Sequence, residues 1–236
     1  MRYQFVDCRW ELGSPERGRE LYAAGHVPGA SFLDVDEDLA DLFVAGQGRH
    51  PLPSAERFAG SASRAGIGRG VFVVAYGNMG GPERLWWLLR HFGHDDCAVL
   101  VGGIDAWAGP LATAEETIEP AEFVPRERSG DTIAAEELAR RLADPELALV
   151  DARTPARWRG ESNPVDAKPG RIPGASNAPW NEPQLELPQG ELVVYCGSGI
   201  TACVVLHRAF LRGRDGVLYP GSWSDWSTRP LPIERS

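Results

Sequence analysis

One run of residues concentrates the chemistry of this chain: Cys196-Gly197-Ser198-Gly199-Ile200-Thr201-Ala202, directly after the apolar Leu192-Val193-Val194-Tyr195. The order predicts a thiol at the end of a strand, a loop of small residues and then the start of a helix. Small residues leave backbone amides uncovered. Amides at a helix N-terminus favour negative charge through their N–H groups and the helix dipole. A cysteine placed there is set up as a nucleophile, or as the neighbour of an anionic substrate. Two plainer readings stand beside this one. Most unpaired cysteines are buried packing, and glycine-rich turns also bind phosphate. The nucleotide-binding version needs a following Gly-Lys-Ser/Thr, which this loop lacks. A cysteine-phosphatase loop needs an arginine six residues after the cysteine, and Ala202 stands there.

Other polar groups fall near this loop in type or in sequence. Ser198 and Thr201 supply hydroxyls, for proton relay or, for Thr201, simply for capping the helix. The stretch Arg153-Thr154-Pro155-Ala156-Arg157-Trp158-Arg159-Gly160 carries Arg157 and Arg159. A guanidinium matches a planar carboxylate bidentately, so these two are candidate carboxylate clamps.

The elements that must hold these groups follow from the rest of the chain. Its 236 residues allow one large domain or two ordinary ones, and 43% hydrophobic residues supply real cores. The net charge of −9, from 24 basic and 33 acidic residues, argues against a nucleic-acid partner. The four cysteines, Cys8, Cys97, Cys196 and Cys203, form no Cys-x-x-Cys pair. A zinc ribbon, a thioredoxin-type motif and a disulfide scaffold are therefore not expected, and reduced thiols in the cytoplasm are. Cys203 falls inside the expected helix, and Cys8 and Cys97 read as strand residues of the core. The N-terminal residues run straight into a strand-like segment with no apolar signal core. No apolar run approaches the roughly 18 residues that a membrane span needs.

The chain also repeats itself once. Phe5-Val6-Asp7-Cys8-Arg9 is echoed by Leu149-Val150-Asp151-Ala152-Arg153, and His26-Val27-Pro28-Gly29-Ala30 by Arg171-Ile172-Pro173-Gly174-Ala175. Val73-Val74-Ala75-Tyr76-Gly77 matches Val193-Val194-Tyr195-Cys196-Gly197, which sets Tyr76 against Cys196. In each half short apolar strands (71–76, 98–101, 147–151, 192–195) alternate with helices (82–92, 201–211). That pattern predicts two α/β domains, each a parallel sheet flanked by helices, with ligands beyond the carboxyl ends of the strands. Domain boundaries are expected at 1–118 and 132–236, with the Pro-containing, charged 119–131 as linker.

Taken together, Val-Asp-x-Arg near each domain start, the His/Arg-x-Pro-Gly-Ala turns, the cysteine loop and Tyr219-Pro220-Gly221-Ser222-Trp223 resemble the tandem-domain rhodanese family of sulfurtransferases. The resemblance covers nearly the whole chain and implies two rhodanese-like domains, the first silent and the second carrying the nucleophile. The loop is similar to the Cys-Gly-Ser-Gly-Val-Thr of the 3-mercaptopyruvate branch rather than the Cys-Arg-Lys-Gly-Val-Thr of the thiosulfate branch. Transfer of sulfur from 3-mercaptopyruvate through a Cys196 persulfide is thus expected, with thiosulfate as the alternative donor. A binding module without activity is the remote alternative, since such modules lose the cysteine. Cyanide, a thiol or a thioredoxin-like protein would be the acceptor, and no metal or organic cofactor is implied. Gly197, Gly199, Ile200 and Ala202 would contribute the backbone amides around the sulfur. The resemblance sets His26 beside Ser198 as a relay partner and Arg157 on the substrate. A second family arginine is missing from the region that holds Asp166 and Lys168. Lys168 or Arg171 is then expected to supply the second positive charge.

Overall fold

The computed structural model describes residues 2–42 and 46–235. They form two compact units. The first comprises Met1–Asp41 with Leu52–Arg128, the second Leu42–Pro51 with Ser129–Ser236. This differs in three places from the contiguous division expected above. Among the described residues, 42 and 46–51 belong with the second unit, 119–128 with the first, and 129–131 with the second. The second difference has a clear cause: Phe123 is buried with its ring edge against Phe58, and the backbone N–H groups of Ala121 and Arg126 donate to Ser63 and Phe92.

In the first unit, β1 (Arg2–Cys8), β2 (Ser31–Phe32), β3 (Val71–Gly77) and β4 (Cys97–Val99) make a sheet of order β2-β1-β3-β4. In the second, β5 (Leu147–Asp151), β6 (Ser176–Asn177), β7 (Glu191–Tyr195) and β8 (Val217–Leu218) repeat that order as β6-β5-β7-β8. All pairings are parallel. Parallel strands are covered on both faces, and the central strands accordingly end in buried residues, Val6 to Cys8 and Leu192 to Tyr195. The first unit also carries helices α1 (Arg17–Ala24), α2 (Ala55–Arg64) and α3 (Gly81–His91). The second carries α4 (Ala135–Arg140), α5 (Pro155–Arg159), α6 (Ala202–Phe210) and α7 (Ser222–Trp226). Pro82 opens α3 in its first turn, where its missing N–H costs nothing. Helix α6 is apolar on nearly every face, which fits a helix buried against its sheet.

The pairing register corrects the internal alignment. Asp7 pairs with Tyr76, and Asp151 pairs with Tyr195. The Tyr76 hydroxyl accepts the Val27 N–H, as the Tyr195 hydroxyl accepts the Ile172 N–H. The two tyrosines are therefore equivalent, and the residue standing where Cys196 stands is Gly77. The first copy lacks the thiol because it has no side chain there at all.

The repeated motifs have the same structural work in both units. Arg9 grips Asp7 through Nε and Nη2 and donates Nη2 to the Gly25 carbonyl. Arg153 grips Asp151 and donates to Gly170 in the same way. In the second unit this pair is almost fully buried, so each charge is satisfied by the other. The Arg153 guanidinium also lies 4.8 Å from the centre of the Trp223 ring.

Candidate active site

The cysteine loop leaves β7 and enters α6, as the sequence implied. Cys196 is buried, and its Sγ accepts the Gly199 N–H at 3.1 Å. Gly199 has φ +84°, and a Cβ there would lie 2.6 Å from the Pro220 carbonyl oxygen. Only glycine can turn the loop back over the sulfur at that point. Helix α7 pins the loop from its other side: Trp223 N–H donates to the Cys196 carbonyl and Ser224 N–H to the Gly197 carbonyl. Ser222 holds an unusual left-handed conformation (φ 53°). Its Oγ accepts the Cys196 N–H and donates to the Tyr219 carbonyl, which fixes the strained residue under Cys196.

The cation site forms directly above Gly197. A Cβ on Gly197 would stand 3.0 Å from Arg157 Nη2 and 3.1 Å from Arg49 Nη2. Absence of a side chain there lets two guanidiniums approach the loop. Asp166, whose side chain is 0% exposed, bridges them, accepting from Arg157 Nη2 at 2.6 Å and from Arg49 Nη1 at 2.5 Å. Asn163 in turn donates to the Asp166 carbonyl. Each guanidinium carries five N–H donors, and the Nε atoms of both are buried with no partner among the described residues. The pair therefore retains donor capacity for an anion.

Ser198 faces a second group from the same early segment. Its Oγ shares a 2.7 Å hydrogen bond with His50 Nδ1, across 148 residues of sequence. Both side chains are nearly buried. Arg49 is held by its own N–H, which donates to Ser224 Oγ. Gly48, just before it, has φ +91° and lies too close to the Gly221 carbonyl for any side chain.

Not every residue expected at the site is there. The histidine on Ser198 is His50, not His26. His26 is fully buried in the first unit, stacked on the Tyr22 ring at 3.8 Å, with Nδ1 against the Tyr22 carbonyl. Its Nε2 lies 3.6 Å from Glu116, which also accepts the Gly29 N–H of the Pro-Gly turn. Arg171 does the equivalent work in the second unit. It pairs with Glu234, which accepts the Gly174 N–H, and its guanidinium lies 4.1 Å over the Trp158 ring. Both residues also exchange backbone hydrogen bonds with a distant strand-like residue, His26 with Ala112 and Arg171 with Glu234. The position is thus a turn clamp in both copies. The Gly174 N–H and the Arg171 guanidinium hold the Glu234 carboxyl below its usual range.

The remaining expected cations are also elsewhere. Arg159 is exposed and paired with Glu161. Lys168 is exposed, and its backbone carbonyl accepts from Trp223 Nε1. Arg49 supplies the second positive charge that Lys168 and Arg171 do not. Thr201 sits at the N-cap of α6 without a side-chain capping bond. Ile200 and Ala202 are buried in the loop and first turn. Cys203, in the first turn of α6, donates its thiol to the Gly199 carbonyl in the loop. Burial raises the Cys8 thiol and pushes Cys97 up to about 12, so neither is a reactive thiolate.

Among the described residues no helix is long and apolar enough to cross a membrane. Comparison with known proteins shows the family. The rhodanese-like domain matches residues 1–110 and again 134–229. The chain is 36% identical to SseB of Mycobacterium tuberculosis, named on provisional grounds as a thiosulfate sulfurtransferase, over 98% of this chain and 90% of that one. It is 34% identical to the human 3-mercaptopyruvate sulfurtransferase, covering 97% of this chain and 86% of that one. Among solved structures, SseA from Escherichia coli, described as a 3-mercaptopyruvate sulfurtransferase, superposes with a TM-score of 0.79 at 28% identity, covering 94% of this chain and 93% of that one. With two matched domains and a cysteine loop in the second alone, the chain belongs to the rhodanese family and is a sulfurtransferase of tandem-domain type.

Proposed function

We propose that the protein moves a sulfur atom from 3-mercaptopyruvate to a thiol-reactive acceptor through a persulfide on Cys196. The observation that supports this most is the stacking of groups on one loop: a sulfur under the Gly199 N–H, and two guanidiniums above Gly197. Arg157 and Arg49 bind the donor carboxylate. The Cys196 thiolate attacks the donor sulfur. A sulfur–sulfur bond forms, the carbon–sulfur bond breaks, and its electron pair leaves on carbon as the enolate of pyruvate. Ser198 and His50 carry the proton of the donor thiol to that carbon, so no charge is stranded in a buried site. The loop amides hold the persulfide as they would an oxyanion. A second nucleophile, such as cyanide, a small thiol or a thioredoxin-like protein, then takes the outer sulfur and releases the Cys196 thiolate. None of the four cysteines is in a disulfide, which suits a reducing compartment such as the cytoplasm.

Cyanolysis assayed with both donors tests this reading. Mercaptopyruvate should give the higher kcat/KM, and Cys196→Ser should remove activity by about a thousandfold or more. A clear preference for thiosulfate would replace the donor. Full activity in Cys196→Ser would remove the mechanism. Arg157→Ala should raise KM for mercaptopyruvate about tenfold or more, whereas Arg159→Ala should leave it unchanged.

A further inference from the structure

We infer that Asp166 is the donor-selecting residue of this site: it cancels one of the two guanidinium charges above Cys196 and so tunes the site to a singly charged donor. The inference rests on the reading of Arg49 and Arg157 as the anion clamp and deepens it. Three observations carry it.

First, the Asp166 side chain is fully shielded from water, while both arginines are partly exposed, at 27% and 21%. A carboxylate shielded from water is screened less than an exposed one and acts more strongly on its neighbours. Second, its two oxygens are divided, Oδ1 to Arg49 and Oδ2 to Arg157. It therefore neutralises the pair jointly and leaves two arginines sharing one net positive charge. Third, both guanidiniums lie against Gly197, one residue from the nucleophile. Their net charge is set where the donor must bind.

A monoanionic carboxylate complements a net charge of one. A dianion such as thiosulfate brings an additional negative charge toward the shielded Asp166 carboxylate and is repelled by it. Asp166 also fixes where the guanidiniums point, so it is a positioning residue for both donors and a discriminating one between them. The two parts separate experimentally, because a positioning loss affects both donors whereas a charge effect changes their ratio.

Asp166→Asn keeps the size and an oxygen acceptor while removing the charge. The expected result is a rise of about tenfold or more in the ratio of kcat/KM for thiosulfate to that for mercaptopyruvate, mainly through a lower KM for thiosulfate. An unchanged ratio, or equal losses with both donors, overturns the inference and leaves the sulfurtransferase reading intact. A measurement on the unaltered protein covers the case in which Asp166→Asn fails to fold. Alkylation of Cys196 by iodoacetamide should be slowed by pyruvate at lower concentration than by sulfate. Better protection by sulfate would contradict the inference even in a protein that transfers no sulfur.

Discussion

The two units carry the same frame and differ at one turn. Each has a four-stranded parallel sheet of the same order, an Asp–Arg pair at the end of a central strand, and a tyrosine hydroxyl holding the Pro-Gly turn. Each also has a glutamate, Glu116 or Glu234, that accepts a glycine N–H of that turn and faces its first residue. The divergence begins one residue after the shared tyrosine. In the second unit, Cys196 opens a loop that reaches α6 at Ala202; in the first, Gly77 leads to α3 at Gly81, so the first turn is the shorter. It uses Asn78 to accept the Trp10 N–H and has Met79 in the left-handed region. The end of the sheet and the turn clamp are thus scaffold in both copies. Chemistry needs only a longer loop, a thiol and cations brought to it.

The largest effect that separates the copies should come from their histidines. His50→Ala should lower kcat by about a hundredfold to ten-thousandfold with a smaller change in KM, as loss of a proton carrier does. His26→Ala should leave kcat within about twofold, and should instead lower stability by roughly 1–3 kcal/mol through the unpaired turn groups it leaves behind. Steady-state kinetics and thermal melting on both variants check this. The opposite pattern would restore His26 to the site.

Restoring the thiol in the first copy should fail. In Gly77→Cys the new Cβ would stand 2.7 Å from the Cys8 carbonyl carbon, against backbone that cannot move aside. The expected outcome is a loss of about 1–3 kcal/mol in unfolding free energy and no additional sulfur bound per chain. A second sulfur carried on the thiol that Gly77→Cys introduces would show that the thiol, and not the loop, is what the first copy lacks.

A smaller difference concerns acid sensitivity. His207, on α6 behind the cysteine loop, is lowered to about 4 by burial, with Arg208 adding to it. Between about pH 6.5 and 4 the unfolded chain then binds a proton that the folded chain refuses. Stability should fall as pH drops through that window, and no such contribution should exist above it. Chemical denaturation on either side of the window checks this, and His207→Gln should flatten the dependence. An unchanged slope would place the acid sensitivity elsewhere.

Much of this was legible in the sequence, for reasons that differ by residue. Strand 147–151 was readable from its apolar run, and the helix after Cys196 from its small-residue loop and apolar continuation. The cysteine loop was readable because strand, thiol and glycines fall consecutively. Arg49 and His50 were not, because their partners Asp166 and Ser198 lie 117 and 148 residues away and their segment has no periodicity. An arginine and a histidine side by side, between Gly48 and Pro51, were the only local signal. Asp166 was visible only as the place where an arginine was wanted. The structure shows it bridging Arg157 and Arg49. The turn role of His26 is seen once the two copies are compared: the same turn carries Arg171 in the second, and each faces a glutamate, Glu116 or Glu234. The one-residue slip that paired Tyr76 with Cys196 had a similar source. Strands of equal pattern fix a face, whereas the hydrogen bond of the tyrosine fixes the register.

Sulfur transfer by this protein is expected to pass through one thiol, Cys196. Incubating the reduced protein with mercaptopyruvate alone, then digesting it and measuring peptide masses, tests this directly. An increase of about 32 Da, one added sulfur, is expected on the peptide that holds Cys196 and none on those with Cys8 or Cys97. Sulfur absent from Cys196, or carried on Cys8, Cys97 or Cys203 instead, would contradict it.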